Sequence, residues 1–232
     1  MGDFMDFFDL HCDTLTECMD DGDSLLKNER DIDFERGSIF GRWNQVFAVF
    51  VPDSMDDSLV EGYFDSACNF YFDELKKKGD VFPILSSEDV RGHSRGVMLA
   101  MESSRGVGSL ERLEKLYERG LRLITLTWNH KTRAAGGCDE GGGLTDWGRE
   151  LVSKMEKLGI VTDVSHLSDR SFYDLCEFSV APFIASHSDA RAVHNEVRSL
   201  TDEQIKIIIE RGGLIGLNFY DRFLGGNGGR EE

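Results

Sequence analysis

Apolar residues along the chain gather into short, nearly unbroken runs: FFDLHCD (7–13), QVFAVFVP (45–52), GVMLAME (96–102), LRLITLTW (121–128), IVTDVSH (160–166), PFIASHS (182–188) and GLIGLNFY (213–220). Half-buried strands alternate apolar and polar positions, whereas strands covered on both faces read as continuous apolar runs, so these seven segments predict parallel strands. Between them the apolar spacing changes to the helical period. Helices are predicted over 56–78, 109–119, 145–157, 168–177 and 201–211, the last opening with Thr201 and Gln204 spaced as a capping box and closing at Gly212 and Gly213. Strand and helix in alternation, with glycine after most helices, predict an α/β fold. A length of 232 residues suits a single barrel-sized domain over 1–232.

Five polar residues break the pattern at places that matter. His11 and Asp13 close the first run, Glu102 the third and His166 the fifth, and His187 sits one residue from the end of the sixth. Residues i and i+2 of a strand share a face, so His11 and Asp13 would project together. In a β/α barrel the C-terminal strand ends converge on one mouth, where these five side chains would meet. Three imidazoles and two carboxylates form a donor set suited to zinc and compatible with manganese, iron or cobalt. Five ligands exceed what one four-coordinate catalytic zinc needs, so two ions sharing a carboxylate is the economical arrangement. His93, His130 and His194 lie off this pattern.

Charge and composition narrow the function classes. Acidic residues number 43 against 26 basic ones, a net charge of -17, which repels a phosphate backbone and argues against nucleic acid as partner. No apolar stretch reaches the length of a membrane span and the N-terminal MGDFMDFFD lacks a basic leader, so the expectation is a cytoplasmic protein without membrane association. The five cysteines are scattered without a C-x-x-C pair, and are expected to be reduced. The glycine-rich AAGGCDEGGG (134–143) lacks any phosphate-loop signature and reads as a flexible βα loop of the kind that covers a site.

With these residues assembled, the sequence resembles the membrane (renal) dipeptidase family of zinc metallopeptidases, within the amidohydrolase-like barrels. The resemblance rests on DLHCDT, AME, LITLTWN, GGLTDWGRELV, VTDVSHLSD, PFIASHSDARAV, VRSLTDEQI and GGLIGLNFY, in family order along almost the whole chain. It implies a TIM-type (β/α)8 barrel and two Zn2+ ions, one held by His11 and Asp13, the other by His166 and His187, with Glu102 bridging both. It also implies Arg198 as the guanidinium that grips a substrate carboxylate, with Tyr220 and Asn129 lining the same pocket. The implied activity is hydrolysis of the peptide bond of a dipeptide, or of a similar small amide, through a metal-bridged hydroxide, typically where the second residue is D-configured.

Three departures from the family pattern set further expectations. Trp128 and Asn129 stand where the best-known members carry an oxyanion-stabilising histidine after LTLT, which points to altered specificity. Ser103 and Ser104 follow Glu102 where glycines are usual. The sequence ends at LGGNGGREE, before the family's eighth-strand aspartate, so the expected fold lacks the C-terminal β/α unit, with about seven strands and no assignable catalytic aspartate. An open edge left this way predicts a gap, a distorted closure or a homo-oligomer. The alternatives to a working dipeptidase are a catalytically impaired fragment, or a binuclear amidohydrolase acting on a lactone or an N-acyl amino acid.

Overall fold

A computed structural model describes residues 5–226. The first and last residues of the sequence, including most of the terminal GGNGGREE, lie outside the described residues. The chain forms two compact units that divide between Leu123 and Ile124.

The first unit carries β1 (Asp6–Asp9), α1 (Thr14–Asp21), β2 (Arg42–Phe50), α2 (Asp57–Lys77), β3 (Phe82–Pro83), α3 (Ser87–Gly92), β4 (Arg95–Glu102) and α4 (Leu110–Glu118). β1 and β4 flank β2, and β3 adds to β4, all in parallel. The ladder from Trp43↔Arg95 to Phe50↔Glu102 sets Glu102 at the C-terminal end of its strand. β2 is buried along nearly its whole length, as its apolar run requires. Phe34 packs edge-on against both Trp43 and Phe47. α2 buries Phe64, Ala67, Cys68 and Tyr71, and the Tyr71 hydroxyl donates to the Val97 carbonyl on β4 at 2.9 Å. A buried phenol with its proton placed adds packing area without an orphaned polar atom.

β5 (Leu121–Thr125) carries the chain into the second unit, which holds α5 (Asp146–Leu158), β6 (Val161–Asp163), α6 (Asp169–Phe178) and α7 (Asp202–Glu210). Each of these helices starts on a hydroxyl cap: Thr145 accepts from Gly148 N–H, Ser168 from Ser171 N–H and Thr201 from Gln204 N–H, with the Thr201–Gln204 capping box complete. α5 stops at Gly159, whose φ of 80° is that of a left-handed cap.

Two expected strands take a different form. The runs at 182–188 and 213–220 make only isolated parallel bridges, Asp163↔Ile184 and Ala185↔Ile215. For the run at 182–188 the reason lies 23 positions away: the N–H of Ser186 bonds to the Asp163 carboxylate, so this donor is withdrawn from a ladder position. The last run is held on one side through Ala185 N–H to Leu214 O and Gly216 N–H to Ala185 O, while Leu214, Leu217, Phe219 and Tyr220 stay exposed. The outcome is an α/β fold of parallel strands and helices, with six strands among the described residues rather than seven. Among those residues no helix is long and apolar enough to cross a membrane.

Candidate metal centre

In the first unit, the chain beyond β1 keeps its registration to β2. Cys12 donates to Val46 O and accepts from Ala48 N–H, which holds the residues on either side of it, His11 and Asp13. Glu102, only 2% exposed, arrives from the end of β4. Donor atoms of His11, Asp13 and Glu102 lie within 4.8 Å of one another. His11 Nε2 is 3.4 Å from Asp13 Oδ1 and 3.5 Å from Glu102 Oε2. Those separations are long for hydrogen bonds and match the spacing of about 3.3 Å between ligands at tetrahedral zinc with bonds of about 2.0–2.1 Å. Asp13 Oδ1 is shut off from solvent and takes no hydrogen bond. A dry carboxylate oxygen without a donor fits a cation. Burial alone would push the His11 pKa down, but Glu102 and Asp13 beside it hold it well above its ordinary value. The same negative field favours a metal ion in a proton's place.

Ser103 follows Glu102 in a conformation that side chains rarely adopt, with φ at 89°. Its hydroxyl is buried and takes no hydrogen bond. Both features cost stability, of order 1–3 kcal/mol for the backbone alone. Ser103→Gly removes both and is expected to stabilise the protein by about 1 kcal/mol, raising Tm by about 2–4 °C in thermal unfolding. An unchanged or lower Tm would show that the strain is absent.

In the second unit, His166 and His187 face each other. Their Nε2 atoms are 2.9 Å apart and their rings are tilted by 56°. His166 has a left-handed backbone, φ 68°, fixed by two hydrogen bonds to its carbonyl, from Cys138 N–H at 2.9 Å and the Thr127 hydroxyl at 3.1 Å. Its Nδ1 lies 2.9 Å from Asn129 Oδ1, which also accepts from the Cys138 thiol at 3.6 Å. The Trp128 ring centroid is 6.4 Å from that of His166. His187 Nδ1 lies 2.7 Å from Ser186 Oγ. Two imidazole nitrogens turned toward one another suit a shared cation.

Arg198 is 7% exposed and its fork is anchored, Nη1 donating to Ser188 Oγ and Nη2 to the His187 carbonyl, each at 2.9 Å. That places the guanidinium directly behind a proposed ligand. Tyr220 is more than half exposed; its ring contacts Phe223, and its backbone N–H donates to Asn218. Of the stretch 134–143, expected as a flexible loop, the first half, 134–138, is packed, while Asp139, Glu140 and Gly142 are exposed. Ala134, Ala135 and Cys138 are buried, Gly136 N–H donates to Ser171 Oγ, and Gly137 bridges Leu167. A Cβ on Gly136 would overlap the Gly141 carbonyl and one on Gly137 that of Asn129, so glycine here serves close approach rather than mobility. His93 stacks on Phe82 and His194 faces Glu196. All five cysteines are free thiols.

Sequence reading missed Asp163 and Ser186, which stand behind His187. An aspartate inside an apolar run is a usable signal, since ionised side chains are rarely buried without partners. Ser186 offered none.

The family model for membrane dipeptidases, peptidase family M19, matches residues 3–230. The uncharacterized protein in the pqqA 5′ region of Klebsiella pneumoniae is 32% identical over 161 residues, covering 64% of this chain and 59% of that protein. The uncharacterized protein in the PQQ-III 3′ region of Acinetobacter calcoaceticus is 33% identical over 153 residues, covering 62% and 49%. The chain thus aligns with only half to three-fifths of the length of these curated relatives. Among solved structures, the dipeptidase AC, a metallopeptidase of family M19, superposes with a TM-score of 0.88 at 26% identity, covering 98% of this chain and 76% of that one. A family match across nearly the whole sequence, joined to a shared fold, leads to one conclusion: the chain belongs to the membrane dipeptidase family, peptidase family M19.

Proposed function

We propose that this protein is a zinc-dependent dipeptidase, cleaving the peptide bond of dipeptides at a two-ion centre. The observation that carries the reading is the dry Asp13 oxygen beside His11, a carboxylate atom without a hydrogen bond in a cluster with ligand spacing. Family membership supports it further. His11 and Asp13 would hold one ion, His166 and His187 the other, with Glu102 shared between the two, as the resemblance implies. Bound zinc supplies Lewis acidity, which polarises the scissile carbonyl and makes water nucleophilic near neutral pH.

The chain's own residues do the rest. Arg198 presents a planar fork, held rigid by Ser188 and the His187 carbonyl, that matches the two oxygens of a substrate carboxylate. Gripping the free C-terminus fixes the scissile bond at one distance from the centre, converting binding into orientation. That selects dipeptides over longer or neutral substrates.

The test is hydrolysis of L,L- and L,D-dipeptides by the full chain with added zinc, beside the same protein treated with chelator and a His166→Ala variant. Turnover that needs zinc and disappears in the variant is the expected result. Folded, zinc-loaded protein that cleaves no dipeptide would overturn the proposal.

A further inference from the structure

The two histidines of the second unit are each backed by a side chain that settles where the ring proton sits. Behind His187 stands Asp163, fully buried. Its Oδ1 accepts the N–H groups of Ser165 and Ser186, both at 2.9 Å, and its Oδ2 accepts the hydroxyls of Thr125 at 2.8 Å and Ser186 at 2.6 Å. A carboxylate ringed by donors has only lone pairs to offer. The Ser186 hydroxyl therefore commits its proton to Asp163, and toward His187 Nδ1, 2.7 Å away, its oxygen acts as acceptor. With a cation between the rings, His187 then carries its proton on Nδ1 and presents Nε2 as a lone pair on the side of His166 Nε2, 2.9 Å away. In that ion-bound state the amide oxygen of Asn129, an acceptor, favours the same tautomer for His166.

We infer that Ser186 is a positioning residue: backed by Asp163, its hydroxyl fixes the Nδ1–H tautomer of His187 and so sets how tightly the ion between His187 and His166 is held. Hydrogen bonds to the remote nitrogen of a ligating histidine commonly control metal affinity and ring orientation. Here the carboxylate acts through an interposed hydroxyl, so the relay has a direction: the proton of each bond points toward Asp163. The inference rests on the metal-centre reading above and adds a residue with no ligand role of its own.

The test uses the full chain with zinc. Affinity is measured by competition with a chromophoric chelator, and the His187 Nδ1–H is followed in proton–nitrogen spectra of the zinc-loaded protein. Ser186→Ala is expected to weaken one of the two zinc ions by about 10–100-fold and to remove the protected Nδ1–H signal. Ser179→Ala serves as the structural control, because it deletes another buried hydroxyl of the same unit, one that bonds to Glu156. It is expected to lower Tm while leaving zinc affinity unchanged. If wild type binds zinc and Ser186→Ala binds it equally well, or if Ser179→Ala weakens binding as much, the role of Ser186 is overturned and the metal centre stands. If wild type binds no zinc, the centre itself fails and the inference falls with it.

Discussion

Glu102→Gln is expected to reduce dipeptide hydrolysis by about 10³-fold or more, equivalent to about 4 kcal/mol in the barrier, with loss of bound zinc. The substitution keeps the volume and hydrogen-bonding shape of the side chain, so the fold should survive; it removes the negative charge. Glu102 is nearly fully buried at the last pair of the β2–β4 ladder, 3.5 Å from His11 Nε2, where a fixed charge is felt strongly. It is also the one carboxylate the proposal assigns to both ions, so a single change should lower the affinity of each. Zinc content by elemental analysis, beside kcat/KM, checks this. A variant retaining both ions and activity within about tenfold of wild type would remove Glu102 from the centre.

Arg198→Ala should separate substrates by charge. For dipeptides with a free C-terminus, kcat/KM is expected to fall by about 10²–10³-fold, mainly through KM, because a buried guanidinium paired with a carboxylate is worth about 2–5 kcal/mol. Neutral esters or lactones should lose far less. The variant also strips donors from Ser188 Oγ and the His187 carbonyl, at a cost in stability of about 1–3 kcal/mol. Arg198→Lys helps to separate the two effects: it keeps the charge and loses the fork, so it should rescue dipeptide binding only in part. Equal losses on charged and neutral substrates would mean that Arg198 supports the fold around His187 and does not read the carboxylate.

Much of the helical framework was legible because capping is local. Asp56, Ser109, Thr145, Ser168 and Thr201, read from sequence as helix starts, are the N-cap residues in the structure. The grouping of His11, Asp13 and Glu102 was legible for a related reason: parallel strands share a direction, so polar residues ending two apolar runs end on the same side. What escaped depends on contacts distant in sequence. The Asp163 carboxylate, by taking the N–H of Ser186 from 23 positions away, reduces an expected strand to isolated bridges. Asn129, expected in a substrate pocket, has its amide oxygen on His166, 37 positions away. The short helix α1 was missed as well: it follows Asp13 at once, and the Asp13 side chain makes no cap hydrogen bond.

The packed glycine-rich stretch has a consequence for how this sequence can drift. By composition, 134–143 looks like the segment most tolerant of change, and a library design guided by complexity alone would randomise it first. Gly136 and Gly137 have backbone carbonyls where a methyl would go, and the neighbouring Cys138 is tied by its N–H to the His166 carbonyl. In a saturation-mutagenesis scan these two positions should accept glycine alone. Gly141, whose Cβ would meet open space, should tolerate asparagine at its left-handed φ of 72°. Within the low-complexity segment, 136–137 would thus stand out as a narrow band of intolerance, next to the Cys138 tether to the His166 backbone.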